Sequence, residues 1–86
     1  MQNLVYLIGI AAAALTSLSY IPQVRKAYPR GATQDLSLKM LAILGAGLAL
    51  WILYGALRGD FVIIFANIVA VTLVGALLGF KLRDLR

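Results

Sequence analysis

Ser19-Tyr20-Ile21-Pro22-Gln23 lies near the end of a run, Met1 to Val24, that carries no charged side chain. A run of this length is enough to cross a bilayer, which takes about 20 apolar residues. Pro22 cannot donate a hydrogen bond to the carbonyl of Leu18, and its ring crowds that carbonyl, so the helix is predicted to bend or loosen there. In hydrocarbon an unpaired backbone group persists only where protein or a wet cavity covers it. Pro22 therefore marks either a static kink or a functional hinge in a membrane-spanning helix.

The composition places the whole chain in a membrane. Of its 86 residues, 63% are hydrophobic and only 13% are charged, and a soluble domain of this size could not bury so much apolar surface. The net charge of +5 does not predict a nucleic-acid partner, because the basic residues cluster at the ends of apolar runs. With no Cys, no His and three acidic residues, the chain lacks the groups for a thiolate, an imidazole base or a metal cluster. We expect no enzyme, no catalytic residue, no cofactor and no metal.

Two further uncharged runs follow the first, at residues 40–57 and 61–80. A polar loop at residues 28–35 separates the first two runs, and Asp35 or Ser37 can cap the helix that follows it. Arg58-Gly59-Asp60 is a tight polar turn between the second run and the third. We predict one repeat over residues 1–86, with spans of about 4–27, 38–58 and 61–82, in an all-α membrane protein. A signal peptide is disfavoured for the first run because its basic residues come after the apolar core.

Basic residues predict the orientation. Three spans put the first loop and the C-terminus on the same side of the membrane. Of the eight basic residues, Arg58 alone lies on the other side. Under the positive-inside rule, we expect the N-terminus outside and the C-terminus in the cytoplasm, in the cell (inner) membrane. The seven basic residues on the cytoplasmic side are Arg25, Lys26, Arg30, Lys39, Lys81, Arg83 and Arg86.

Small residues recur four apart in all three spans and allow helices to approach closely. Such pairs are frequent in an apolar chain with eight glycines, so a helix contact and no role at all both remain open. The pairs are Gly9 with Ala13, Gly45 with Ala49, and Gly75 with Gly79.

Polar side chains of the first span fall within one face of the helix: Thr16, Ser19, Tyr20 and Gln23. A Ser or Thr hydroxyl can bond to its own backbone one turn back, which would satisfy Thr16 and Ser19 locally. The amide of Gln23 needs more partners and lies beside the proline. A polar face next to a broken helix is typical of a substrate path.

Trp51 and Asn67 are predicted to lie at the same depth. Each is seven residues from the polar turn, Trp51 before Arg58 and Asn67 after Asp60, which is about 10 Å at 1.5 Å per residue. Trp51 is therefore deeper than the interfacial aromatic belt, whereas Tyr54 is near enough to the boundary to be an anchor. Asn67 can bind helices together, or its amide can bond to the hydroxyls of a sugar that packs on the indole. Both interpretations stay open from the residues alone.

Three helices are too few to surround a hydrophilic path. About six are needed, so two copies would associate around an axis along the membrane normal. Each site residue would then face its own copy across the path.

The chain resembles the SemiSWEET sugar transporters, the single-repeat relatives of SWEET and PQ-loop proteins, from about Leu4 to Lys81. The resemblance implies a parallel homodimer with six helices that moves a neutral sugar, a mono- or disaccharide, by alternating access. It assigns substrate binding to Trp51 and Asn67, with Ser19 as a lining residue. The residues that carry it are Ser19-Tyr20-Ile21-Pro22-Gln23, Trp51-Ile52-Leu53-Tyr54-Gly55, the Arg58-x-Asp60 pair and Ala66-Asn67.

The same resemblance implies an outer gate at Tyr54, Arg58 and Asp60, and a hinge at Pro22 and Gln23. No carboxylate lies within a span, which favours uniport down the gradient over proton coupling. The expected partners are the sugar, a second copy and membrane lipid. Two alternatives remain: a proton-coupled PQ-loop amino-acid carrier, and a small assembly or pore subunit that does not transport.

Overall fold

The computed structural model describes residues 2–86, so Met1 lies outside it, and folds them into three helices. These are α1 (Gln2–Ala27), α2 (Leu38–Arg58) and α3 (Phe61–Asp84). All three are long and apolar enough to cross a membrane. The prediction of an all-α bundle of three membrane helices is confirmed. Helix α1 begins two residues earlier than the predicted span, and α3 ends two residues later.

The helices are arranged side by side in the order α1–α3–α2. Helix α3 packs against both neighbours, whereas α1 and α2 do not contact each other over residues 2–86. The bundle is accordingly flat, 49 × 23 × 14 Å, with two broad faces. Most of the long apolar side chains on those faces are exposed, so lipid or another protein must cover them.

The core is a narrow seam in which α3 meets its neighbours. The seam is tight at Gly55 of α2, where an added Cβ would lie 2.8 Å from Cγ2 of Ile63 and 3.1 Å from Cγ1 of Ile64. Only a glycine lets the two backbones come this near. Gly55 therefore sets the register of α2 against α3. The buried apolar side chains of the seam are Ala27, Leu41, Leu48, Ala70, Val74 and Leu77.

Local capping explains where the helices begin and end. Gly59 ends α2 in the left-handed conformation, with φ at 69°, and Asp60 then caps α3 by accepting a hydrogen bond from the backbone N–H of Ile63 at 3.2 Å. Of the two predicted caps for α2, the structure uses Ser37, whose hydroxyl accepts from the N–H of Met40 at 3.1 Å. The tight turn at residues 58–60 thus makes α2 and α3 antiparallel neighbours.

Helix α1 continues through Pro22 as one α-helix to Ala27. The sequence predicted a bend or a loosening here, and the helix is not interrupted. Since Pro22 has no N–H, the carbonyl of Leu18 still lacks its usual donor. The helix therefore contains a local weak point without a break.

The end of the bundle that holds the first loop and the C-terminus, here called the basic end, is fastened by Arg83. Its guanidinium donates to the carbonyls of Tyr28 at 2.8 Å, Pro29 at 3.1 Å and Ala27 at 3.3 Å, and to Asp84 at 2.8 Å. These carbonyls lie at the end of α1, where the carbonyl groups have no backbone N–H of the same helix to accept from. Arg83 thus ties α1 to α3.

Thr33 fixes the loop in the same place. It is buried, with 1% of its surface exposed, and its hydroxyl donates to Asp84 at 2.6 Å while its carbonyl accepts from Lys81 at 2.9 Å. A buried hydroxyl needs such a partner, because an unpaired one would be costly. The loop at residues 28–37 is consequently held against the last turn of α3.

The small-residue pairs have different surroundings. Gly9 of α1 faces Val62 of α3, where an added Cβ would make ordinary contact at 3.5 Å. Around Gly45, Gly75 and Gly79, by contrast, there is open space on the side where a Cβ would point. In the protomer, no atom of another helix lies within 4 Å of where a Cβ of Gly75 or Gly79 would be. Of the two interpretations left open by the sequence, a helix contact at this pair therefore has no support within a single protomer.

Candidate functional site

Trp51 and Tyr54 form an aromatic pair on α2. Their rings meet edge to face, with centroids 5.4 Å apart and planes at 89°. Both are about half exposed, at 52% for Trp51 and 47% for Tyr54. An indole fixed by a neighbouring ring, with much of its own surface open, can serve as a flat platform for the apolar side of a ligand.

Asn67 of α3 lies level with Trp51. The contact of Gly55 with Ile63 fixes the register, and Trp51 and Asn67 each lie one turn further from the polar turn on antiparallel helices. Asn67 is half-buried, and its Nδ2 donates to the backbone carbonyl of Ile63 at 2.8 Å. This bond is within α3, so the side chain does not bind two helices together inside the protomer.

The bond to Ile63 orients the carboxamide of Asn67. One of its two N–H groups is engaged, while the amide oxygen and the second N–H can still bond to a ligand. The indole N–H of Trp51 is a further donor at the same level. A donor-and-acceptor amide at the same level as an exposed indole fits a neutral molecule that has hydroxyl groups and an apolar face.

Ser19, on α1, lies at a different level from this pair. Its hydroxyl donates to the carbonyl of Thr16, one turn back in the same helix. The contact of Gly9 with Val62 puts Ser19 about level with residue 72 of α3, or about 7.5 Å nearer the basic end than Asn67 at 1.5 Å per residue. Because α1 and α2 do not touch over residues 2–86, the protomer alone does not bring Ser19 to Trp51.

The turn end of the bundle carries the predicted gate residues. Arg58 is exposed and Asp60 is half-buried, and they do not pair with each other, since the one ion pair among residues 2–86 joins Arg83 and Asp84. Asp60 lines a cleft of about 280 Å³ between α1 and α3. Both charges can therefore reach partners outside the protomer.

Tyr6 is a lining residue that the sequence reasoning missed. It borders the cleft that holds Asp60, and it also borders a larger apolar groove of about 520 Å³ between α1 and α3. Nothing in the local sequence distinguishes Tyr6 from the other apolar residues of the first run, because Asp60, the residue that shares its cleft, is 54 residues away in sequence. The groove itself contains neither Trp51 nor Asn67, and its apolar walls suit lipid chains.

Comparison with known proteins identifies the family. Residues 4–64 match the PQ loop repeat family. A protein named sugar transporter SemiSWEET, from Bradyrhizobium diazoefficiens, is 44% identical over 80 residues, covering 93% of each chain. This chain belongs to the SemiSWEET family. The membership also confirms that it is a transporter-family protein, not an enzyme.

Two further members agree with this assignment along nearly the whole length. The SemiSWEET sugar transporter of Leptospira biflexa serovar Patoc is 41% identical, covering 98% of this chain and 95% of its own. A crystal structure described as a bacterial homologue of SWEET transporters superposes with a TM-score of 0.87 at 36% identity, covering 94% of this chain and 98% of its own. The SemiSWEET fold thus extends over the three helices described above.

Proposed function

We propose that this SemiSWEET-family protein carries a neutral sugar, a mono- or disaccharide, across the membrane by alternating access. The observation that carries the proposal is the half-exposed ring of Trp51 at the level of the Asn67 carboxamide. An indole packs on the C–H face of a pyranose, and an amide bonds to its hydroxyls. The relatives named sugar transporters support the same substrate class.

The flat protomer supports a parallel homodimer as the transporting unit. A layer of helices 14 Å thick cannot enclose a solute, whereas two layers facing each other can. A two-fold axis along the membrane normal would place both copies of Trp51 and Asn67 around one path. Ser19 would line the path nearer the basic end, which lies in the cytoplasm under the positive-inside rule, with the N-terminus outside the cell membrane.

The distribution of carboxylates supports uniport. Asp60 is the N-cap that precedes α3, and Asp84 is the last residue of α3. Asp35 lies in the loop before α2, so no acidic side chain lies within an apolar span. Proton-coupled carriers usually keep an ionisable group there. The sugar would therefore move down its own gradient.

Arg58 and Asp60, with Tyr54, are assigned to the outer gate, where they pair across the two copies. Asp60→Asn removes the charge but keeps an N-cap, so α3 still begins normally while outer closure weakens. We expect faster hydrogen–deuterium exchange at residues 55–64, by about threefold, and no such change in Asp35→Asn. Unchanged exchange in Asp60→Asn would count against this gate.

Pro22 and Gln23 are assigned to the hinge, because the carbonyl of Leu18 lacks a donor there. Pro22→Ala restores that bond and stiffens α1, so we expect sugar exchange in proteoliposomes to slow about tenfold. The control is Pro29→Ala, which changes a loop proline. If Pro22→Ala exchanges sugar at the wild-type rate, Pro22 is a static kink.

The proposed function is tested by uptake of a panel of labelled sugars into liposomes that contain this protein alone. We expect uptake of at least one neutral sugar, equal with and without an imposed pH gradient. A strong response to the pH gradient would contradict uniport and favour a proton-coupled carrier. Absence of any uptake, with the dimer intact, would favour a subunit that does not transport.

A further inference from the structure

A small basic hollow lies at the basic end, on the surface between the first loop and the last turns of α3. It has a volume of about 320 Å³, and Arg30, Gly79, Leu82, Arg83 and Arg86 line it. The hollow lies at the point where the uncharged run 61–80 gives way to charged residues. It contains none of the residues assigned above to substrate, gate or hinge.

Two of its three arginines make no side-chain hydrogen bond among residues 2–86. Arg83 is committed to three backbone carbonyls and to Asp84. Arg30 and Arg86 are exposed, and among residues 2–86 neither forms an ion pair, since the one salt bridge there is Arg83–Asp84. A guanidinium presents several donors in a planar fork that matches phosphate oxygens. The hollow is therefore suited to an anion that both arginines can reach.

The position of the hollow favours a membrane lipid over a soluble anion. Gly79 is exposed and has open space where a Cβ would point, as has Gly75 one turn deeper along α3. A hydrocarbon chain attached to an anion in the hollow can therefore continue along α3 toward the middle of the membrane. The same site on a second, parallel copy carries the same charge, so mutual repulsion disfavours a homodimer contact there.

We propose that this hollow binds the phosphodiester headgroup of an anionic phospholipid between Arg30 and Arg86. The phosphate would join the loop at residues 28–37 to the end of α3 from the outside, as Arg83 and Thr33 join them from within. Bound lipid therefore stabilises the basic end of the bundle. This inference does not depend on the transported substrate.

The test uses the full chain in a neutral detergent, with native mass spectrometry to count bound phosphatidylglycerol and phosphatidylcholine. We expect the wild type to hold phosphatidylglycerol at least about tenfold more tightly, because only the anionic lipid gains from charge-assisted bonds. Arg30→Gln/Arg86→Gln is expected to lose that preference. Arg25→Gln/Lys39→Gln removes the same charge from exposed positions outside the hollow and is expected to keep it.

Three outcomes would overturn the proposal. The first is equal affinity of the wild type for the two lipids, a result that needs no variant. The second is an equal loss of phosphatidylglycerol in the two double variants, which would indicate attraction to the net charge alone. The third is displacement of phosphatidylglycerol by free glycerol phosphate at equal concentration, which would identify a soluble anion as the ligand. The single variants Arg30→Gln and Arg86→Gln replace the double variant if it does not fold, and each is expected to weaken binding.

Discussion

Replacing Asn67 with Ala is expected to reduce sugar uptake by about 5- to 150-fold. This range corresponds to about 1–3 kcal/mol, the usual cost of leaving a bound polar group without its hydrogen-bond partner. The carboxamide is the polar group that lies level with Trp51, and its one bond within the protomer goes to the Ile63 carbonyl of its own helix. Its removal therefore breaks no hydrogen bond between helices of the protomer. Uptake of the best sugar from the panel, measured in proteoliposomes, checks the prediction.

Thr72→Ala is the matched control for Asn67→Ala. Thr72 is also a polar residue of α3, its hydroxyl donates to its own backbone at Ile68 at 2.8 Å, and it is exposed. We expect this variant to transport at nearly the wild-type rate. If Asn67→Ala keeps full uptake, or if it loses uptake together with expression and dimer formation, Asn67 has a packing role instead.

Replacing Trp51 with Ala is expected to lower uptake by at least about 30-fold, because truncating a central aromatic anchor costs about 2 kcal/mol or more. The ring is 52% exposed and rests edge to face on Tyr54, so its loss removes the platform without opening the α2–α3 seam. Trp51→Phe retains a flat apolar ring and is expected to keep part of the activity. Uptake and thermal unfolding measured on the same preparations separate a loss of binding from a loss of folding.

Leu50→Ala provides the control for Trp51→Ala. Leu50 is the preceding residue, it is 66% exposed, and it points 100° away from Trp51 around the helix. A fall in uptake of equal size in Leu50→Ala and Trp51→Ala would contradict a specific role for the indole. We expect Leu50→Ala to transport within about twofold of the wild type, as is usual for surface substitutions.

Hydropathy and turn chemistry were enough to predict the three helices, because these signals are local. The uncharged runs end at Val24, Leu57 and Phe80, and the turn is marked by Gly59, so each boundary has its own residues. Depth was also predictable, since counting from Arg58 and Asp60 puts Trp51 and Asn67 at one level, and the contact of Gly55 with Ile63 gives the same register.

The spatial order of the helices could not be predicted in this way. Chain order is α1, α2, α3, but α3 lies between the other two, and nothing in the apolar periodicity of the runs distinguishes this order. For the same reason the distance of Ser19 from Asn67, and the position of Tyr6 beside Asp60, depend on packing between distant residues.

The role of Arg83 could not be predicted from sequence patterns either. In the sequence it is one of seven basic residues that indicate orientation, whereas in the structure it bonds to three carbonyls at the end of α1. Those carbonyls are more than 50 residues away along the chain. The positive-inside rule counts charges and does not say which of them bind the protein itself.

The central claim is that two copies enclose a wet cleft whose walls present Trp51 and Asn67. It is tested most directly by thiol labelling, since the natural chain has no Cys and every introduced one is unique. The test variants are Trp51→Cys and Asn67→Cys. The controls are Leu50→Cys and Ile68→Cys, which place the thiol on the adjacent residue and therefore on another side of the same helix. The account predicts that a water-soluble, membrane-impermeant maleimide, supplied on both sides, labels positions 51 and 67 at least about tenfold faster than positions 50 and 68, because a thiol reacts only where water ionises it. Slow labelling at 51 and 67, or equal labelling at all four positions, would contradict it.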